Sequence, residues 1–145
     1  MTEPLDVRPA KPSEAAACAA ILNDWIDMTD WLPRIHSHED IQKRYRDRVF
    51  KEREIYVIGD PVAAYIALSE DQEITSLYSA APGAGRGKVL LDHAKRLRHQ
   101  LSLWTFVANT GARRFYAREG SVEQRRAEGE NEENLPDILY RWAAS

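Results

Sequence analysis

The run from 81 to 98, "APGAGRGKVLLDHAKRLR", places glycines at 83, 85 and 87 and passes straight into a helical pattern. The residues before it, "EITSLYS", are β-rich and read as the strand that delivers the chain into the turn. Few folds use a strand that turns through alternate glycines into an amphipathic helix. Glycine reaches backbone conformations closed to other residues, so several N–H groups can converge on one point. The helix N-terminus adds its partial positive charge there. Such a turn suits a phosphate, or its glycines serve only a tight turn. Leu90, Ala94, Leu97 and Leu101 are expected to dock the following helix, with its basic residues outward.

The rest of the chain supplies a sheet for that helix. "LDVRPA" reads as a first strand, stopped by Pro9. "SEAAACAAILNDWIDM" reads as a helix capped by Ser13, with Ala17, Ile21, Trp25 and Met28 inward. A loop, "DWLPRIHS", leads to a second helix with Ser37 and Asp40 at its start and Ile41, Tyr45 and Val49 inward. "EIYVIGD" and "VAAYIALS" form a hairpin about Gly59, Asp60 and Pro61. After the glycine turn come a strand, "LSLWTFVA", a short helix capped by Asn109 and closed by Gly120, and two closing strands, "SVEQRRAE" and "PDILYRWA". This order predicts one α+β domain over residues 1–145, with a mixed, mostly antiparallel sheet of about seven strands flanked by about four helices.

Charge narrows the function classes. The formal net charge is −3, against a dedicated nucleic-acid binder. Positive charge is local: Arg86, Lys88, Lys95, Arg96 and Arg98 face only Asp92, while residues 119–137 carry seven acids from Glu119 to Asp137. The N-terminus has no basic head and apolar run, and no stretch approaches ~18 apolar residues, so a cytoplasmic protein with no membrane partner is expected. Cys18, the lone cysteine, sits among alanines and reads as a small buried residue.

Nucleotide readings of the loop fail letter by letter. A Walker A loop fits at Gly87 and Lys88, but Pro82 stands at its first glycine and Val89 at its magnesium-binding hydroxyl. A dinucleotide fingerprint needs G-x-G-x-x-G after the first strand of a parallel unit, and here the spacing is G-x-G-x-G after the fourth. A pyrophosphate held without metal fits better.

On two motifs the chain resembles the GNAT superfamily of acyl-CoA-dependent N-acyltransferases. "SLYSAAPGAGRGKVLLDHA" is similar to its strand, [QR]-x-x-G-x-[GA] loop and helix, and "NTGARRFYAREG" to its N-x-x-A-x-x-F-Y-x-x-x-G. Three departures stand out: Pro82 occupies the [QR] position, the loop between "LY" and the glycines is shorter than the family pattern, and Ser121 replaces the phenylalanine after the glycine. The resemblance implies the GNAT fold and transfer of an acetyl group from acetyl-CoA to a small-molecule or peptide amine in a ternary complex, without metal. It implies a cofactor site made by Leu77, Tyr78 and Ser79, by Gly83, Ala84, Gly85, Arg86, Gly87 and Lys88, and by Asn109, Ala112 and Phe115. Tyr116 would be the general acid, because a phenol of pKa near ~10 can protonate a departing thiolate; as a core aromatic it would only pack. Glu73 matches a position from which some members remove the amine proton, or is a strand-start carboxylate at the surface. Trp31 and Arg34, in the loop bordering the acceptor cleft, would give an aromatic wall and a carboxylate fork, or packing and surface charge. Many members dimerise, so a homodimer accords with the resemblance.

Two rivals stand beside this reading. One is a GNAT-fold protein that binds acyl-CoA as a sensor. The other is a metal-dependent hydrolase using His36, His38 and Asp40, an H-x-H-x-D half-site whose further ligands are missing from the sequence nearby.

Overall fold

The computed structural model describes residues 5–145; the reading of the N-terminus as leaderless begins on residues 1–4, outside that range. Seven strands divide into two antiparallel sheets. In the first, β1 (Val7–Pro9), β2 (Glu54–Ile58), β3 (Ala64–Leu68) and β4 (Ile74–Ser79) lie in chain order. In the second, β7 (Asp137–Ala143) lies between β5 (Gln100–Phe106) and β6 (Val122–Ala127). The helices are α1 (Ala15–Asp27), α2 (His38–Arg44), α3 (Phe50–Glu52), α4 (Arg86–Leu97) and α5 (Thr110–Arg118). A π-helical turn, Tyr45–Val49, joins α2 to α3 without a break, so the helical segments make four rods.

β3 shows why the first sheet lies in the middle. Its sequence, "AYIAL", has no charge, and both of its faces are buried. Side chains alternate across a strand, so Ala64, Ile66 and Leu68 enter one core, with Leu90, Leu91 and Ala94 of α4. Tyr65 and Ala67 enter the other, with Cys18, Ala19 and Ile21 of α1 and Ile41 of α2. Burying each large aliphatic side chain contributes ~1.5–3 kcal/mol relative to leaving it exposed.

The two sheets meet at one point. Glu73 and Ser102 form a single parallel bridge, and the Ser102 amide donates to the Gln72 carbonyl at 2.9 Å. Beyond this vertex β4 pairs only with β3, and β5 only with β7. Their facing edges diverge, and α4, the crossover between them, covers one side of the opening. A bulge where β3 passes from Ala67 to Leu68 interrupts the β4 ladder just past the vertex.

The caps expected at Ser37 and Asn109 are present: Ser37 Oγ accepts from the Asp40 amide at 3.0 Å, and Asn109 Oδ1 from the Ala112 amide at 3.1 Å. Ser13 is not a cap. A 3-10 turn, Pro12–Glu14, precedes α1, and Glu14 accepts from the Lys11 amide at 2.8 Å. The inward face of α1 is Ala15, Cys18, Ala19 and Ile21, whereas Met28 is 80% exposed. An alanine-rich helix offers two apolar faces, and the sheet selected the one with the smaller side chains. On α4, Leu91 takes the core place expected of Leu97, which is 42% exposed at the helix end. Leu101 is buried but belongs to β5. Cys18 is fully buried, which pushes its thiol up to about 12. Among the described residues no helix is long and apolar enough to cross a membrane.

Candidate active site

Past the end of β4 the opening widens into a cleft of about 540 Å³ between the glycine turn and α5. Leu77, Tyr78 and Ser79 at the end of β4, Gly83 to Lys88 in the turn, and Asn109, Ala112, Phe115 and Tyr116 on α5 all line it. Residues far apart in the chain are thus brought to one place. Gly83 (φ +92°) and Gly85 (φ +79°) hold left-handed conformations that other residues adopt at a cost, and a Cβ on either would project into open space. Gly85 is the N-cap of α4 and has no side chain to cap it, so among the described residues no side chain caps the Gly87 and Lys88 N–H groups at the cleft. At Gly87 a Cβ would lie 3.7 Å from Phe115 Cζ, which shows how closely α4 and α5 pack.

Much of the positive charge of α4 is engaged. Lys88 Nζ lies 2.9 Å from Asp92 Oδ2 and 3.2 Å from Glu119 Oε1, and Arg118 Nε lies 3.4 Å from Glu119 Oε2. Lys95 donates to the Glu119 carbonyl at 2.5 Å, and Arg98 to Glu54 at 2.6 Å. These side chains tie α4 to α5 and β2, so the anion-attracting element at the cleft is chiefly backbone.

Tyr116 is 7% exposed, with ring centroids 5.1 Å from Phe115 and 6.4 Å from Tyr140. Among the described residues its hydroxyl has no hydrogen-bond partner, and burial alone raises its pKa above the ordinary 10. A second cavity, of about 100 Å³, runs between the separated strand edges. Trp25, Leu77, Tyr78, Asn109, Ala112 and Tyr116 line both spaces, so Tyr116 stands where they join. Ser76, on the wall of the second cavity, lies 3.4 Å from the Tyr45 hydroxyl, which is hydrogen-bonded to the Tyr65 hydroxyl at 2.5 Å.

Aromatic rings pack around Trp25 and Phe106 at the second cavity, and Trp31 stands behind them, lining neither space. Trp31 packs edge-on to Trp25 at 6.2 Å and to Phe106 at 5.7 Å, and Trp25 lies 5.1 Å from Tyr78. Arg34 does not present a fork to this space. Its guanidinium donates to Asn23 Oδ1 (3.0 Å), the His36 carbonyl (3.0 Å), the Asn23 carbonyl (3.1 Å) and Asp27 Oδ1 (2.8 Å), and so pins the α1–α2 loop to α1. The two loop histidines go to different carboxylates: His36 Nε2 to Glu132 at 2.5 Å and His38 Nε2 to Asp27 at 2.7 Å. Among the described residues no three His, Cys, Asp or Glu side chains are grouped to hold a metal ion.

Glu73 sits at the vertex rather than in the cleft. Burial and Asp71 raise its carboxyl above the ordinary range against the pull of Arg53, and it lines neither space. The structure does not bring it together with Tyr116. Sequence reading missed Trp25, whose spacing on α1 fits a core position equally well, and Arg118, which follows Tyr116 by two residues at the rim.

No protein-family profile matches the chain, and no curated protein matches it in sequence. Solved structures do match in shape. A GCN5-related N-acetyltransferase from Rhodopseudomonas palustris superposes with a TM-score of 0.79 at 21% identity, over 99% of this chain and 97% of that one. The fold is the GNAT fold. YncA of Salmonella typhimurium, solved with its cofactor acetyl-CoA, gives 0.72 at 18% identity over 97% and 94%. A ribosomal-protein-alanine N-acetyltransferase from Brucella melitensis gives 0.72 at 19% over 95% and 99%. The GNAT architecture implied by the two motifs is therefore present from end to end, with its seven strands in two sheets that part at the Glu73–Ser102 bridge.

Proposed function

We propose that the chain is an acetyl-CoA-dependent N-acetyltransferase that acts on a primary amine by direct attack. One observation carries the reading: a buried phenol, Tyr116, whose hydroxyl has no hydrogen-bond partner among the described residues, stands where a cleft edged by glycine backbone meets an aromatic-walled cavity. Acetyl-CoA, when bound, supplies the acyl group and a thiolate leaving group. Gly83 to Lys88 would hold its pyrophosphate on the Gly87 and Lys88 N–H groups at the start of α4, with the open space at Gly83 and Gly85 admitting it. The unpaired edge of β4 near Leu77 and Tyr78 offers N–H donors to the carbonyl oxygen, which gains negative charge as the amine adds. Holding both reactants in one cleft supplies much of the rate.

The protons balance through Tyr116. The neutral amine nitrogen bonds to the carbonyl carbon, the C–S bond breaks, and the phenol proton passes to sulfur; the proton shed by the nitrogen goes to solvent, from which Tyr116 is recharged. A buried phenol suits the task because its raised pKa keeps it protonated through the alkaline range. The rate should therefore climb with pH as the amine loses its proton, without a fall from Tyr116 ionising near ~10. Glu73 has no line to this space, and no step is assigned to it.

Thiol release from acetyl-CoA with a panel of amines tests the reading. Tyr116→Phe should lower kcat by ~10²- to 10⁴-fold and leave CoA affinity within a few-fold. A wild-type rate from the folded variant removes the acid role. A wild-type protein that binds acetyl-CoA but releases no thiol with any amine is a sensor instead.

A further inference from the structure

On the side of α5 turned away from the cleft lies a groove that the transfer step does not use. Thr110, Arg113, Arg114 and Ala117 share one face of the helix and form a wall, and about 470 Å³ separates them from the sheet. Ala112, Phe115 and Tyr116 of the same helix line the cleft, and the two spaces share no residue. The floor of the groove is a cross-strand pair, Glu123 and Tyr140, which stand directly opposite each other on β6 and β7. Ser121 closes one end. It holds the place at which the GNAT motif carries phenylalanine, and so small a side chain leaves open space where a ring would stand.

The groove holds donors without acceptors. Among the described residues Arg114 has no hydrogen bond or ion pair, and Arg113 has only the Val107 carbonyl, at 3.2 Å. The Thr110, Ser121 and Tyr140 hydroxyls have no hydrogen bond either, although Ser121 and Tyr140 are 7% and 4% exposed. Nearby cations are spent, Lys88 and Arg118 on the Glu119 carboxylate and Lys95 on the Glu119 carbonyl. The acid of the groove is spent too: Arg126 Nε lies 2.6 Å from Glu123 Oε1, and this hydrogen bond, with the field of Arg113, lowers the carboxyl below its ordinary range. Two guanidinium charges are left without a counterion. A phosphate monoester answers them with a charge of about −2 and three acceptor oxygens, whereas a carboxylate brings one charge and two oxygens. We propose that this groove is a second anion site, separate from the cleft, which takes a small phosphate monoester between Arg113 and Arg114 with the Ser121 and Tyr140 hydroxyls as further donors. The Ser121 amide donates to the Tyr116 carbonyl at 2.9 Å, and the Tyr140 ring lies 6.4 Å from the Tyr116 ring, so the groove backs onto the turn of α5 that carries the phenol.

Phenyl phosphate, benzoate and phenol, titrated calorimetrically into the full chain near neutrality with and without excess CoA, test the site. Phenyl phosphate should bind equally in both conditions and about tenfold or more tighter than benzoate, and phenol should not bind. Replacing the pair, Arg113→Gln with Arg114→Gln, should weaken phenyl phosphate about tenfold or more, and Ser121→Phe should abolish its binding by filling the groove. Arg114 is exposed, so Arg114→Gln alone leaves the fold intact and should weaken binding severalfold. Gly85→Glu, which lies in the glycine turn, should leave it unchanged. Binding that is lost with CoA or in Gly85→Glu puts the phosphate in the glycine turn and overturns the proposal. Wild-type affinity in Arg114→Gln overturns it as well, as does benzoate equal to phenyl phosphate or no binding at all.

Discussion

The two ends of the cleft are built from different materials. The end at the glycine turn is backbone: N–H groups at the start of α4, two residues of positive φ, and a close α4–α5 contact at Gly87. The end at Trp31 is side chain: three interlocked rings and two loops pinned by Arg34 and by the His36–Glu132 pair. Backbone donors are set by the fold itself, whereas long side chains can be exchanged without disturbing it, so the proposed function assigns acceptor specificity to that end.

This contrast predicts separable damage. Gly85→Glu should have the largest effect: it forces a side chain into a conformation of φ +79° and puts negative charge where an anion must sit. CoA affinity measured by calorimetry should fall by ~10²-fold or more, with the fold intact by circular dichroism. Unchanged affinity would remove the glycine turn from the site and with it the distinction between the two ends.

Arg34→Ala attacks the other end. It strips donors from Asn23, which is 3% exposed, and releases the loop that carries Trp31. The acceptor KM should rise by about tenfold and Tm should fall by a few degrees, while CoA affinity stays as it was. If CoA affinity falls in parallel, the two ends are one cooperative unit rather than two.

The smallest effect belongs to a clamp remote from both. Arg8 holds Glu14 through two hydrogen bonds, at 2.8 and 2.6 Å, and this pairing lowers the Glu14 carboxyl from 4.5 to about 2. A carboxyl depressed in the folded state stabilises fully above its unfolded value, and the contribution disappears as pH falls through the folded one. Glu14→Gln should therefore lower Tm by a few degrees near neutrality, with the difference from wild type shrinking between pH 4.5 and about 2. Neither CoA affinity nor acceptor KM should move, and a change in either would show that the clamp reaches the cleft.

The sequence by itself determined the elements and the backbone end of the cleft. The glycine spacing, the Asn109 cap and the β-rich run before the turn act over a few residues, and local sterics and hydrogen bonding are enough to decide them. Only the tertiary structure decided the rest. Whether Trp25 packs in the core or walls a cavity depends on where β4 and β5 part, which no local pattern encodes. Arg34 and His36 look alike as polar loop residues in the sequence. Their roles come from partners 11 and 96 residues away, and pairing energies between such distant groups exist only once the sheets have set the loops side by side.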